Sequence, residues 1–300
     1  MTRRGAVATL AALALMGQSA VTQSRGFKVH ISVDMEGVAG VVTGDQLGPQ
    51  GFEYGRFREF MTKEALAAVT AAKEAGATEI VVADAHGNGE NLLIEQFPPD
   101  VKIVRAWPRK LGMMAGIDQT FAAAIYIGYH ASTTNPTGVR AHTFSSASLA
   151  RVALNGVEMT EGAWNAAIAG HFNVPVVMAS GDDAALAEIR AVIGPIEGAE
   201  TKRSLGFHSA LTLTPQAAVT EITAKVKSGL ARRTALSPYK PQGALVVDVT
   251  FKNYTPAELL AFLPMFERTS AHSIRFHPKD MPEAASIMEF VDGYRPDLTP

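Results

Sequence analysis

Four apolar runs limit how this chain can fold: Lys28–Val33, Glu79–Ala83, Ala123–Gly128 and Val174–Ala179. Each is short, nearly continuous and rich in Val, Ile or Ala. Such runs suit strands covered on both faces, because a strand with one wet face alternates apolar and polar residues. Helical patterns lie between them. Tyr54–Ala75 places Phe57, Phe60, Met61, Ala65, Leu66 and Val69 at helical spacing, and Gly76 follows as a helix stop. A second helix is expected from about Thr160 to His171. Strands alternating with helices predict an α/β fold, with a mostly parallel sheet and helices on both faces.

Past Gly181-Asp182-Asp183 the pattern changes. Ala184–Ile193 and Pro215–Arg232 read as helices, and Pro238–Gly243 as a linker or turn. Ala244–Phe251 alternates as a half-buried strand should, Ser273–Phe276 is a short strand, and Met281–Val291 is a helix. The expected division is an α/β domain over residues 26–185 and a smaller α+β C-terminal domain over 186–300.

Residues 1–20 stand apart from both. Arg3 and Arg4 precede the apolar stretch Ala6–Met16 and the small-residue segment Gly17-Gln18-Ser19-Ala20. A basic start, a short apolar core and a small-residue site read as a cleaved signal peptide, which implies a periplasmic or secreted protein. Beyond it no stretch reaches the 18 or so apolar residues of a membrane span. The net charge is −2 with no basic run, so nucleic acid is not an expected partner. The chain has no cysteine, which excludes disulfides and thiolate-bound metals.

Each apolar run ends in residues able to bind a metal. After the first come Asp34 and Glu36, two apart, so in an extended chain they point the same way. Two acids so placed repel unless a proton or cation sits between them. After the second come Asp84 and His86, after the third His130, and after the fourth Asp182 and Asp183. Open α/β sheets bind ligands just beyond the carboxyl ends of their strands. Asp34, Glu36, His86 and His130 together have the mixed carboxylate and imidazole character that zinc, manganese or iron prefers. Asp84, Asp182 and Asp183 are read instead as turn formers or helix caps. His30 sits inside a strand and is expected to be packed, and His171, His208, His272 and His277 show no such placement. His142 follows the polar, turn-rich Thr133–Gly138, which predicts a mobile loop near His130; it reads either as a surface loop histidine or as a proton shuttle or nucleophile.

The motifs Ser-Val-Asp-Met-Glu-Gly (32–37), Asp-Ala-His-Gly (84–87), Gly-Tyr-His-Ala (128–131) and Ala-His-Thr (141–143) resemble those of the zinc D-aminopeptidases of the DppA type. So do Glu161-Gly162-Ala163-Trp164-Asn165-Ala166, Pro175–Asp183 and Lys279-Asp280-Met281, in the family's order from about Lys28 to Val291. The resemblance implies a metallo-aminopeptidase with two zinc ions per subunit, bound by Asp34, Glu36, His86, His130 and Glu161, with Asp34 bridging. It implies that His142 is catalytic, that metal-activated water hydrolyses short peptides with N-terminal D-residues, and that subunits form a ring-like homo-oligomer. Strand reasoning alone does not reach Glu161, since an acid in a helix's first turn is favoured by the helix dipole anyway, and Glu158 competes with it. A di-metal amidase or esterase, and an exported binding protein without turnover, are the alternative readings.

Overall fold

In the computed structural model, which describes Met1 and residues 26–294, the four expected strands lie side by side. The expected signal segment, Met1 apart, lies outside the described residues. In chain order the elements begin with β1 (Phe27–Val33), α1 (Tyr54–Glu74), β2 (Ala77–Asp84), β3 (Val101–Val104), β4 (Phe121–Tyr129), β5 (Leu149–Leu154) and β6 (Val157–Glu158). Next come α2 (Glu161–His171), β7 (Val176–Asp182), α3 (Asp183–Ile193), β8 (Glu197–Gly206), β9 (Ser209–Thr212) and α4 (Pro215–Ala231). The last are β10 (Val247–Phe251), α5 (Tyr254–Leu260), β11 (Glu267–Arg268), β12 (Ser273–Phe276) and α6 (Met281–Gly293).

The first sheet has the order β3-β2-β1-β4-β7-β8-β9. All its pairings are parallel except β8 with the edge strand β9. The order reverses between β1 and β4, which makes that gap the topological switch point where such sheets bind ligands. Val33 pairs with Asp84 on one side and Ile127 on the other. The carboxyl ends of β1, β2 and β4 are therefore level, and the residues after them leave at one edge. The second sheet, β11-β12-β10-β5-β6, is antiparallel throughout.

Helices cover both faces of the first sheet. On one face Val29, Ile31 and Val33 pack with Phe57, Met61 and Ala65 of α1 and Ile222 and Val226 of α4. On the other face Tyr126, Tyr129 and Ala179 pack with Trp164 and Ile168 of α2. That core continues into Val247, Val249 and Phe276 of the second sheet and Met288 of α6. Of the eleven residues of α2, ten are buried, with Gly or Ala at six of those positions. Small side chains let a helix sit close to neighbours on all sides, and burial all round marks it as a central element.

Both sheets draw strands from either side of the expected boundary at residue 185. Strand β8 extends the parallel sheet, and β10 pairs with β5 from before it. That boundary therefore does not separate one sheet from the other. Strands β8 and β9 went unforeseen because Glu197–Gly206 is polar and half-exposed on a sheet margin, where hydrophobic pattern is weak.

Candidate metal centre

Asp34 lies at the centre of the strand-end cleft. Its backbone N–H donates to the Ile127 carbonyl of β4 at 2.7 Å, so both central strands fix it. Its Oδ1 stands 3.3 Å from His86 Nδ1 and its Oδ2 3.3 Å from His130 Nε2. Glu36 Oε2 lies 2.9 Å from the same His86 nitrogen, and Glu161 Oε2 3.3 Å from the same His130 nitrogen. Two clusters result, Asp34–Glu36–His86 and His130–His142–Glu161, each with ligand-type atoms within 4.8 Å of one another. Asp34 presents one oxygen to each. All five residues that the family resemblance names as ligands are buried.

The histidines decide what can lie between these groups. His86 Nε2 is 2.7 Å from the Leu47 carbonyl, His130 Nδ1 3.0 Å from that of Ala131, and His142 Nδ1 2.8 Å from that of Arg140. A carbonyl only accepts, so that nitrogen carries the proton in each ring. The other nitrogen of a neutral ring then turns a lone pair toward the carboxylates. Asp34 Oδ2, Glu36 Oε2 and His130 Nε2 are buried and make no hydrogen bond. Buried polar atoms are almost always partnered, and facing lone pairs repel unless a proton or cation joins them. Nitrogen and oxygen donors without sulfur, each imidazole clamped through its other N–H, fit a zinc ion.

The same groups also compete for protons. Burial by itself lowers the pKa of His86 and His130. The charges of Glu36 and Asp34 on one, and of Glu161 and Asp34 on the other, outweigh it and hold both well above the ordinary value. Burial raises Asp34, and the neighbouring Glu36 adds to it. Burial also works upward on Glu36, but the His86 charge prevails and holds Glu36 well below the ordinary value. Glu161 is lowered in the same way, with His130 outweighing burial.

Glu161 reaches the site because Thr160 caps α2, its side chain accepting from Ala163 N at 2.9 Å. Its Oε1 accepts from Phe144 N at 2.6 Å and lies 3.9 Å from His142 Nε2. Glu158 is not part of the site; it pairs with Arg151 at the surface. The His142 ring stacks on that of His130 at 4.0 Å between centroids. The mobile loop expected around His142 is instead pinned: His142 N donates to Ala131 O at 3.0 Å, and Val139 N to Asp182 Oδ2 at 2.7 Å.

The remaining acids and His30 do structural work, as expected. Asp84 accepts from the backbone N–H groups of Asn91 and Leu92, closing the loop that carries His86. Asp182 caps α3 through Ala185 N, and Asp183 accepts from Ser204 N. His30 is fully buried, with Nε2 3.0 Å from the Ala115 carbonyl. Sequence reasoning did not single out the walls of the site. A cavity of about 870 Å³ opens from the two clusters, walled by Trp107, Met113, Phe144, Trp164 and Met288. These side chains come from separate loops and helices, and no local spacing links them.

Comparison with known proteins adds an independent line. Residues 27–290 match the model of the peptidase M55 family, described as D-aminopeptidase. A D-aminopeptidase of Bacillus subtilis (strain 168) is 31% identical over 262 residues, covering 87% of this chain and 95% of its own. The solved structure of the Zn-dependent D-aminopeptidase DppA from Bacillus subtilis, "a self-compartmentalizing protease", superposes with a TM-score of 0.84 at 30% identity. That match covers 88% of this chain and 96% of the other. The chain belongs to the M55 D-aminopeptidase family and is a metallopeptidase.

Proposed function

We propose that this chain is an exported di-zinc aminopeptidase that removes N-terminal D-residues from short peptides. Asp34, Glu36, His86, His130 and Glu161 hold the metals, with Asp34 serving both. The observation that carries this reading is the pair of Asp34 oxygens, each 3.3 Å from a different histidine whose other nitrogen is tied to a backbone carbonyl. When bound, zinc supplies Lewis acidity for the scissile carbonyl and for water. The chain's own residues do the rest. His142, with Nδ1 tied to Arg140 O, presents Nε2 to the reacting centre beside Glu161. There Nε2 takes a proton from the attacking water and passes it to the leaving amine, or it acts as nucleophile. The apolar walls of the cavity seat the peptide and exclude water from it.

The D-preference draws support from the relatives, and the self-compartmentalizing relative supports assembly into a homo-oligomer, which the sequence resemblance makes ring-like. Exposed Leu205 and Leu211 on the β8–β9 hairpin, and Leu259, Phe262 and Met265 at and beyond α5, offer apolar surface for such contacts. The basic and apolar opening of residues 1–20 supports a periplasmic or secreted site. Hydrolysis of matched D-alanyl and L-alanyl peptides, with zinc and with chelator, tests the activity. The reading expects D-selective turnover that chelation abolishes. Turnover that survives chelation would refute the metal mechanism, and preference for the L-peptide would refute the D-specificity.

A further inference from the structure

The loop that delivers Asp34 and Glu36 contains no helix or strand, yet several of its backbone N–H and carbonyl groups are bonded by residues outside it. Lys202 of β8 reaches under it. Its Nζ donates to the carbonyl oxygens of Glu36, of Val38 at 3.0 Å and of Val41 at 2.6 Å. An ammonium has three N–H donors, and here each has one acceptor. The neighbouring Thr201 Oγ1 donates to the Gly37 carbonyl at 2.6 Å. Gly40 N donates to Thr212 Oγ1 at 2.8 Å and Ala39 N to Glu64 Oε1 at 2.9 Å. Lys202 is 2% exposed and Glu64 1%. A charge so deeply buried is costly unless fully bonded and opposed, and the carboxylates of Asp182 and Glu64 oppose this one.

Three carbonyl oxygens converging on one point would otherwise suit a bound monovalent cation. We propose that Lys202 is a built-in cation that folds the Met35–Val41 loop around itself and so sets the position of Glu36 relative to Asp34. It is a positioning residue: it touches no reacting atom and acts through the Glu36 backbone. The inference rests on the metal-centre reading above. It goes further in assigning the geometry of one ligand to a side chain of β8, on the sheet margin that hydrophobic pattern does not reveal. Gly37 belongs to the same device. Its N–H donates to Gly128 O at 2.7 Å, and a Cβ there would stand 2.1 Å from the Tyr129 carbonyl, so the loop passes over β4 only with glycine.

Chemical rescue tests this on the full chain. Lys202→Ala removes Cγ to Nζ, a fragment of the shape of n-propylammonium. The variant is expected to bind zinc about 10–100-fold more weakly than the parent in a chelator competition. Added n-propylammonium should restore most of that loss; propan-1-ol, of similar shape but with one donor, should not. Lys202→Met, of similar length without donors, should show the loss and no rescue. Folding that depends on n-propylammonium would support the proposal equally. Parent-like zinc affinity in Lys202→Met would overturn it. So would equal rescue by the alcohol, or a Lys202→Ala chain that propylammonium neither helps to fold nor restores. Zinc binding by the parent tests the metal centre itself, and the variant-to-parent ratio tests the clamp, so the two failures are distinguishable.

Discussion

The division of labour within each imidazole is fixed by a backbone carbonyl, and for His142 this leaves Nε2 as the nitrogen free to act in the proposed reaction. His142→Ala should retain zinc, because the other donors stay in place, while turnover falls by about 10²–10⁴-fold. Metal analysis beside kcat separates the two. Zinc and protons are expected to compete at His86 and His130, since nearby carboxylates raise both pKa values. Zinc affinity is therefore expected to fall as pH is lowered, and proton release should accompany binding in an unbuffered titration. His30 acts in the opposite sense. Burial lowers its pKa from 6.5 to about 4, so the unfolded chain takes up a proton that the folded chain refuses. The neutral ring contributes about 3 kcal/mol above pH 6.5, lost as pH falls from about 6.5 to 4. Denaturant titrations of the parent and His30→Leu across that window should show a steeper loss of stability in the parent; equal slopes would contradict the assignment.

At the scale of elements, legibility follows from how each residue reaches the site. Asp34, Glu36, His86 and His130 follow strands, and parallel strands end at one edge, so alternation and spacing alone bring them together. Glu161 arrives on the first turn of a helix, where an acid has an ordinary electrostatic reason to be, and only the motif resemblance distinguishes it from Glu158. Lys202 has no sequence signal, because its role depends on a long-range crossing of β8 beneath the loop after β1. The expected helices fall close to those observed, since their apolar spacing and caps are local. The second sheet's edges and β8–β9 are short or half-exposed, and pattern is weakest there. The cap of α2 has a functional edge: Thr160→Ala should cost about 1 kcal/mol of stability and weaken zinc binding as well, because Glu161 is the next residue. A thermal melt with a parallel zinc titration checks both; stability loss without weaker zinc binding would separate the cap from the site.

For the whole molecule, the reversal of strand order between β1 and β4 places the metal centre, and the buried α2 closes it from the side of the second sheet. The exposed apolar side chains of the β8–β9 hairpin lie on the strand pair that also carries Lys202. If the hairpin is an interface, the proposed assembly and the proposed ligand positioning share an element. Leu205→Glu combined with Leu211→Glu should shift the species seen by light scattering toward smaller assemblies. Unchanged mass would exclude the hairpin as an interface. In the proposed centre Asp34 joins two metal positions. Calorimetric titration of zinc into the metal-free chain, with Asp34→Ala alongside, tests it most directly. The expected result is about two tightly bound zinc ions per parent chain and loss of both tight sites in the variant. A single site in the parent, or two sites that survive the loss of Asp34, would contradict it.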